Sequence, residues 1–353
     1  MFLRFTSRIP PPRATIPTVD RLKPGKLTPD ELSSLVFPRV GIRRADVLVR
    51  ARLGFDSAVI AFGDESVVLS TDPITGAGAR AGWLAIHVGC NDVAATGAQL
   101  VGALVTLLLA PATAKADAAQ LMADADRAAR ELGIEIVGGH SEVTAGVERS
   151  IIVVTAIGRV ARGQHLTPER VRTGDTILLT KSAGLEGTAV LATDYADALG
   201  SHLPAEQIRR AQELIGEISV VSEARAATAA GAAAMHDATE GGVLGALAEL
   251  AQAAGLGFEV DLDQIPVRPE TRAIAECFGI DPLALVSSGA LLIATPTPAA
   301  VTAAVKAVNR PICTIGTLRR GPGLARRRGA EVPFHVPERD ALWDALERGI
   351  AVP

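Results

Sequence analysis

The run from Ala81 to Ala98, AGWLAIHVGCNDVAATGA, is small or apolar almost throughout, yet it carries Asn91 and Asp92 near its middle. A segment of this kind reads as a helix, here over Gly82 to Gly97, buried on all sides. Burying a lone charge is costly, so the fold must supply Asp92 with partners, and a metal ion would be one. A second polar cluster, Gly138-Gly139-His140-Ser141-Glu142, follows a short strand expected over Ile134 to Val137.

At 353 residues the chain is too long for one ordinary core, and two halves are expected. Hydrophobic residues make up 48% and charged residues 21%, with 34 Gly and 21 Pro, which fits a loop-rich α/β (α+β) enzyme. Aromatics at 3% leave no stacking platform for single strands, and a formal charge of −4 does not attract phosphate backbones, so nucleic acid is excluded as a partner. The apolar stretch around Ala103 to Pro111 falls well below the roughly 20 residues that span a bilayer, so no membrane partner is expected. Cys90, Cys277 and Cys313 fit neither a zinc pattern nor a disulfide framework, and a reduced, cytoplasmic setting is expected. Residues 1–24 carry arginines without a continuous apolar stretch and read as a flexible extension.

Thr28-Pro29-Asp30-Glu31 is a helix start with Thr28 as N-cap. The first half, residues 25–162, is expected to hold a hairpin over Ser57 to Phe62 and Ser66 to Thr71, a strand over Leu100 to Leu109, a helix over Ala114 to Leu132 and a strand over Ser150 to Val160. A linker with Gly163, Pro168 and Gly174 leads to the second half, residues 170–320, where strands and helices alternate from Thr176. Residues 321–353, basic at first and then holding a short helix around Leu342, are expected to lie outside the core.

Asp56 follows a glycine turn at a strand start, and Asp72 precedes Pro73, which favours extended geometry. With Asp92, these acids form an oxygen-only set suited to Mg²⁺, although each alone also reads as a cap or turn former. Gly138 and Gly139 would let a polyphosphate approach the backbone with His140 and Glu142 beside it; the alternative is a plain solvated turn. His236-Asp237-Ala238-Thr239-Glu240-Gly241-Gly242 runs from a strand into a helix N-terminus, a natural anion site, and it also reads as a capped helix with a core histidine. Lys181 opens another glycine-flexed loop, and Ser287-Ser288-Gly289 precedes a further strand.

Taken in order, Thr71-Asp72-Pro73-Ile74-Thr75-Gly76, Gly82-Trp83, Asn91-Asp92-Val93, Gly138 to Thr144 and His236 to Gly242 resemble the aminoimidazole ribonucleotide synthetase-related superfamily, closest to its HypE-like branch. The resemblance implies an N-terminal sheet that dimerises, a C-terminal α/β domain and ATP between them. It implies Mg²⁺ on Asp56, Asp72 and Asp92, with Asn91 orienting Asp92, and a nucleotide site lined by Gly138, Gly139, Lys181, Gly241 and Gly242. His140, Glu142, His236 and Asp237 become candidates for binding a small acceptor or moving its proton. The implied chemistry is ATP-dependent activation of an oxygen. A thiamine-monophosphate kinase-like transfer is an alternative, as is a hydrogenase-maturation-type scaffold that binds a partner protein without turnover. Three departures stand out. HypE proteins end in Pro-Arg-Ile-Cys, whereas this sequence ends Gly349-Ile350-Ala351-Val352-Pro353. They carry Gly-Asp-Thr-Lys where Gly139-His140-Ser141-Glu142 stands here, and Phe55 replaces a paired acid before Asp56.

Overall fold

The computed structural model describes residue 22 and residues 25–75 and 80–351. The extension expected over residues 1–24 falls almost wholly outside the described residues, as does Gly76. The architecture is α/β with two sheets, as the sequence reading expects.

The first half opens with α1 (Pro29–Glu31), where the Glu31 N–H donates to the Thr28 hydroxyl and the Glu31 carboxylate accepts the Thr28 N–H, a capping box. It continues through β1 (Val47–Val49), β2 (Ala58–Phe62), β3 (Glu65–Ile74), α2 (Ala81–Ala95), β4 (Gln99–Leu109), α3 (Lys115–Leu132), β5 (Glu135–Val143) and β6 (Ile151–Ala161). The sheet order is β1-β2-β3-β6-β4-β5, antiparallel except for the pair β4 and β5.

All 15 residues of α2 are buried, which explains a composition with no polar face. Leu84, Ile86 and Val93 pack with Val68, Val154 and Ala156 of the first sheet. Ala94 and Ala95 instead join Leu178, Met235 and Leu291 of the second half. Gly82 lets α3 approach so closely that a Cβ there would lie 2.0 Å from the Leu121 carbonyl oxygen. Helix α2 is therefore a wedge shared by both halves, and it carries Asp92 to the seam between them.

The second half contains β7 (Thr176–Thr180), α4 (Leu185–Asp194), α5 (Ala196–Leu199), α6 (Ala205–Glu213), α7 (Val221–Ala229), β8 (Ala234–Asp237), α8 (Gly242–Ala254), β9 (Gly257–Asp261), α9 (Pro269–Phe278), β10 (Leu291–Thr295), α10 (Pro298–Ala307) and β11 (Ile312–Arg319). It ends with β12 (Leu324–Arg327), β13 (Ala330–Val332) and α11 (Ala341–Arg348). The sheet order is β13-β12-β9-β11-β7-β10-β8. Because β10 is antiparallel to both β7 and β8, the ends of β7 and β8 and the start of β10 share one sheet edge.

Three expectations are corrected. Strand β5 does not stop at the glycines but runs on to Val143, because Gly139 presses on β4 where a Cβ would lie 1.7 Å from the Val105 carbonyl oxygen. Asp72 lies inside β3, which continues through Pro73 to Ile74. The described part of residues 321–353 is not outside the core. Ala325 is buried while Arg326 reaches Glu259 at 2.9 Å, so the basic run hides a strand paired to β9. Ala341 and Ala345 of α11 pack with Leu199, Ile208 and Phe278. Among the described residues no helix is long and apolar enough to cross a membrane.

Candidate functional site

Four carboxylates converge at the seam: Asp56 just before β2, Asp72 within β3, Asp92 on α2 and Asp237 at the end of β8. Their ordering follows from the elements that carry them. The hairpin delivers Asp56 and Asp72 from the first sheet, α2 delivers Asp92, and the second sheet supplies Asp237 from the other side.

His236 organises one flank. It is buried, its Nδ1 lies 2.8 Å from Asp56 Oδ2, and its Nε2 lies 2.8 Å from Glu249 Oε2. Two carboxylates on two ring nitrogens call for an imidazolium. Burial works against that charge, but Asp56 and Glu249 hold His236 well above its ordinary range. Burial likewise opposes the Asp56 carboxylate, while His236 and then Lys26 hold it low. Potential ligand atoms of Asp56, His236 and Asp237 all lie within 4.8 Å of one another. With both nitrogens engaged, His236 is a positioner of Asp56, and the expected role in proton transfer or acceptor binding finds no free nitrogen.

The other flank is crowded. Ser70 Oγ lies 2.6 Å from Asp92 Oδ2 and 2.9 Å from the Asp56 carbonyl oxygen. A hydroxyl has one proton to donate, so both contacts are satisfied together only when Asp92 carries a proton. The surroundings act in that direction: burial first, then Asp237, Asp72 and Asp56, push Asp92 well above the usual carboxylate range. Asp237 is pushed up to about 7 by burial and by Asp56. Both Asp237 carboxylate oxygens and Asp72 Oδ2 are buried without a hydrogen-bond partner. These buried carboxylate oxygens, hard donors that no protein group satisfies, fit a divalent cation such as Mg²⁺.

Several sequence-predicted residues serve other ends. Asn91 does not orient Asp92: its Nδ2 donates to the Ile218 carbonyl at 2.9 Å and its Oδ1 accepts the Val220 N–H at 2.9 Å, clamping α2 to the second half. Lys181 is buried with its ammonium on the Glu217 and Ser219 carbonyls at 2.8 and 2.7 Å and on Glu223 at 2.7 Å. All three of its donors are committed, which leaves none for a phosphate. The N-terminus of α8 holds an anion of the chain itself, since the Gly241 N–H donates to Asp340 Oδ2 at 2.6 Å. Burial pushes Asp340 up to about 7 against its backbone hydrogen bonds. Gly242 packs where a Cβ would lie 2.4 Å from the Leu283 carbonyl oxygen, so it is required by packing.

Gly138, Gly139, His140 and Glu142 lie on the exposed edge strand β5, with His140 Nε2 3.2 Å from Glu142 Oε2. The register Pro73 to Val153, Val153 to Thr106 and Thr106 to His140 separates them from Asp72 by three strand spacings, about 14 Å. Within one chain they do not join the acids. Phe55, in place of an acid, lies beneath the Arg52 guanidinium at 3.7 Å.

Sequence reasoning missed Ser70, Glu249, Asp340 and Lys26. The Lys26 N–H donates to Glu240 Oε2 at 3.3 Å, and its ammonium feels Glu249, Asp56, Glu240 and Asp92, which outweigh burial and raise its pKa. No local pattern marks Ser70, Asp340 or Lys26. Glu249 alone had a signal, since it lies on the helix that follows the His236 motif.

The matching family models are the AIR synthase related protein N-terminal domain, over residues 54–160, and C-terminal domain, over residues 172–328. Carbamoyl dehydratase HypE of Rhodobacter capsulatus is 29% identical over 293 residues, covering 81% of this chain and 83% of that protein. Hydrogenase expression/formation protein HupE of Azotobacter chroococcum is 32% identical over 253 residues, covering 69% and 71%. A crystal structure of a HypE–HypF complex matches with a TM-score of 0.69 at 20% identity, covering 79% of this chain and 93% of that one. One of hydrogenase maturation protein HypE in complex with ATP matches with a TM-score of 0.65 at 22% identity, covering 90% and 97%. With both domain models matched in order and the acids gathered at the seam between them, the chain belongs to the AIR synthase-related family, in its HypE-like branch.

Proposed function

We propose that this protein is a Mg·ATP-dependent enzyme that activates an oxygen of a small acceptor by phosphoryl transfer. The observation that carries the reading is the set of buried, unpartnered oxygens on Asp72 and Asp237 beside Asp56 and Asp92. Asp56, Asp72, Asp92 and Asp237 hold the cation, which when bound neutralises phosphate charge. Ser70 fixes the Asp92 carboxyl, and His236, braced by Glu249, fixes that of Asp56. Lys26 adds an ammonium on the same side. Catalysis rests on positioning and on charge placed in advance. The relative solved with ATP supports the nucleotide, and the one solved with HypF supports a partner protein.

The protein works as a homodimer in this reading. Val101, Leu104, Val137 and Val143 are exposed on β4 and β5, and β5 is an open edge of the first sheet. His140 and Glu142 then serve a site only where a second copy brings them to it. Calorimetric titration with ATP tests the reading. Binding is expected with Mg²⁺, lost with chelator and lost in Asp92→Ala; Mg-dependent binding that survives Asp92→Ala refutes the assignment.

A further inference from the structure

Residues 25–28 form a strap that leads into α1 through the Thr28–Glu31 capping box, yet its upstream end is fastened to the second half of the chain. The Lys26 N–H donates to Glu240 Oε2 at 3.3 Å, in the loop between β8 and α8. Gly25, at φ +112°, lies against α11, where a Cβ would sit 3.2 Å from Trp343 Nε1. Glycine adopts that backbone conformation without the strain other residues would meet. The strap therefore crosses the seam beside the acids, and the one charge it carries there is the Lys26 ammonium.

Lys26 is the reverse of Lys181. The Lys181 side chain is buried and all its donors are taken. Lys26 is exposed, and among the described residues no carboxylate oxygen lies within 4.0 Å of its ammonium. Its charge is nonetheless felt by Glu249, Asp56, Glu240 and Asp92. His236, the other cation that acts on Asp56, has both ring nitrogens engaged. Lys26 is thus a cation with donors to spare, on a stem that can swing without unpacking the core.

Such an ammonium acts in opposite directions on two kinds of ligand. Asp56, Asp72, Asp92 and Asp237 attract a divalent cation, but a positive charge held in the same field repels it and cancels part of that attraction. A polyphosphate that enters with the cation brings anionic oxygens, which take charged donors that have no other partner. A lysine that only held the strap in place would affect both ligands in the same sense.

We propose that Lys26 makes the site select the metal–nucleotide complex over the metal alone: its ammonium weakens the hold on an unaccompanied divalent cation and receives phosphate oxygens when the cation comes with ATP. The inference rests on the Mg·ATP reading and adds a selectivity to it. Calorimetry on the full chain compares the wild type with Lys26→Met, which keeps the stem and removes the charge, and Lys26→Arg, which keeps the charge. Each protein is titrated with Mg²⁺ alone and then with ATP at saturating Mg²⁺. Lys26→Met is expected to bind Mg²⁺ about three- to tenfold more tightly and ATP about three- to tenfold more weakly, with Lys26→Arg close to the wild type in both. Mg²⁺ affinity that stays level or falls in Lys26→Met, ATP affinity that stays level or rises, or an arginine variant that behaves like the methionine one overturns the proposal. Loss of both affinities together with a lower Tm assigns Lys26 to the fold and overturns it equally. Failure of ATP to bind the wild type counts against the phosphoryl-transfer reading, and the titration with Mg²⁺ alone still decides whether Lys26 opposes a lone cation.

Discussion

Lys181 follows β7 and Asp237 ends β8, one strand apart across β10, and both are buried charges. Around Lys181 every donor is used, and its partner Glu223 also has Ser222 Oγ at 2.8 Å and Arg310 at 3.6 Å. Around Asp237 neither carboxylate oxygen has a partner, and Asp56, Asp72 and Asp92 crowd it. A closed set of charges is structural, because nothing remains to bind. An open set persists only where a ligand completes it, since unpaired buried charge is destabilising. The difference sorts residues that look alike in sequence: each polar residue follows an apolar strand on the same sheet edge.

The largest effect should come from breaking the closed set. Lys181→Met leaves Glu223 buried opposite an apolar group, with Arg310 as its remaining cation, and should cost about 3–5 kcal/mol in urea unfolding. A variant of ordinary stability that fails to bind Mg·ATP would reverse the assignment and return Lys181 to the nucleotide.

Relieving the open set should do the opposite. With its folded pKa raised to about 7, Asp237 contributes stability that is full below the unfolded value of about 3.9 and is lost as pH rises through about 7. Asp237→Asn removes that loss. In chelator the variant should match the wild type near pH 4 and exceed it by about 1–3 kcal/mol at pH 8. Mg²⁺ should then raise the Tm of the wild type at pH 8 and leave the variant unmoved. A variant less stable than wild type at pH 8 would mean that Asp237 belongs to the closed kind.

The same contrast explains what the sequence made legible. Asp56 and Asp237 stand at strand ends, Asp72 before Pro73 within β3 and Asp92 in an apolar helix, where chemical identity and local pattern coincide, and the fold class followed from strand and helix periodicity. Asn91 and Lys181 stood in equally suggestive patterns, but their partners lie in residues 217–220, across the seam for Asn91 and 36 or more residues along the chain for Lys181, contacts that no local pattern encodes. The anion position at α8 was legible as such, yet Asp340, which fills it, lies 99 residues away. Residues 321–353 misled because the run Arg326-Arg327-Arg328 reads as a solvated basic tail, whereas the buried member of β12 is the single Ala325. The glycine pair reads as a phosphate loop because the close packing of Gly139 on Val105 and close approach to a ligand ask the same thing of a glycine.

The smallest effect is expected on β5, where charge is neither closed nor open but solvated. His140 and Glu142 form an exposed pair, and such pairs contribute little to stability. His140→Ala and Glu142→Gln should each leave the urea-unfolding midpoint indistinguishable from that of the wild type. With three strand spacings between them and Asp72, one chain alone predicts that Mg·ATP affinity changes by less than about threefold. Calorimetry on both variants checks this. A loss of about tenfold with the fold intact would be informative in a different way. The geometry of a single chain leaves no route for so large an effect, so the strand would have to meet the acids of a second copy, and the exposed Val137 and Val143 beside it would be the surface that brings it there.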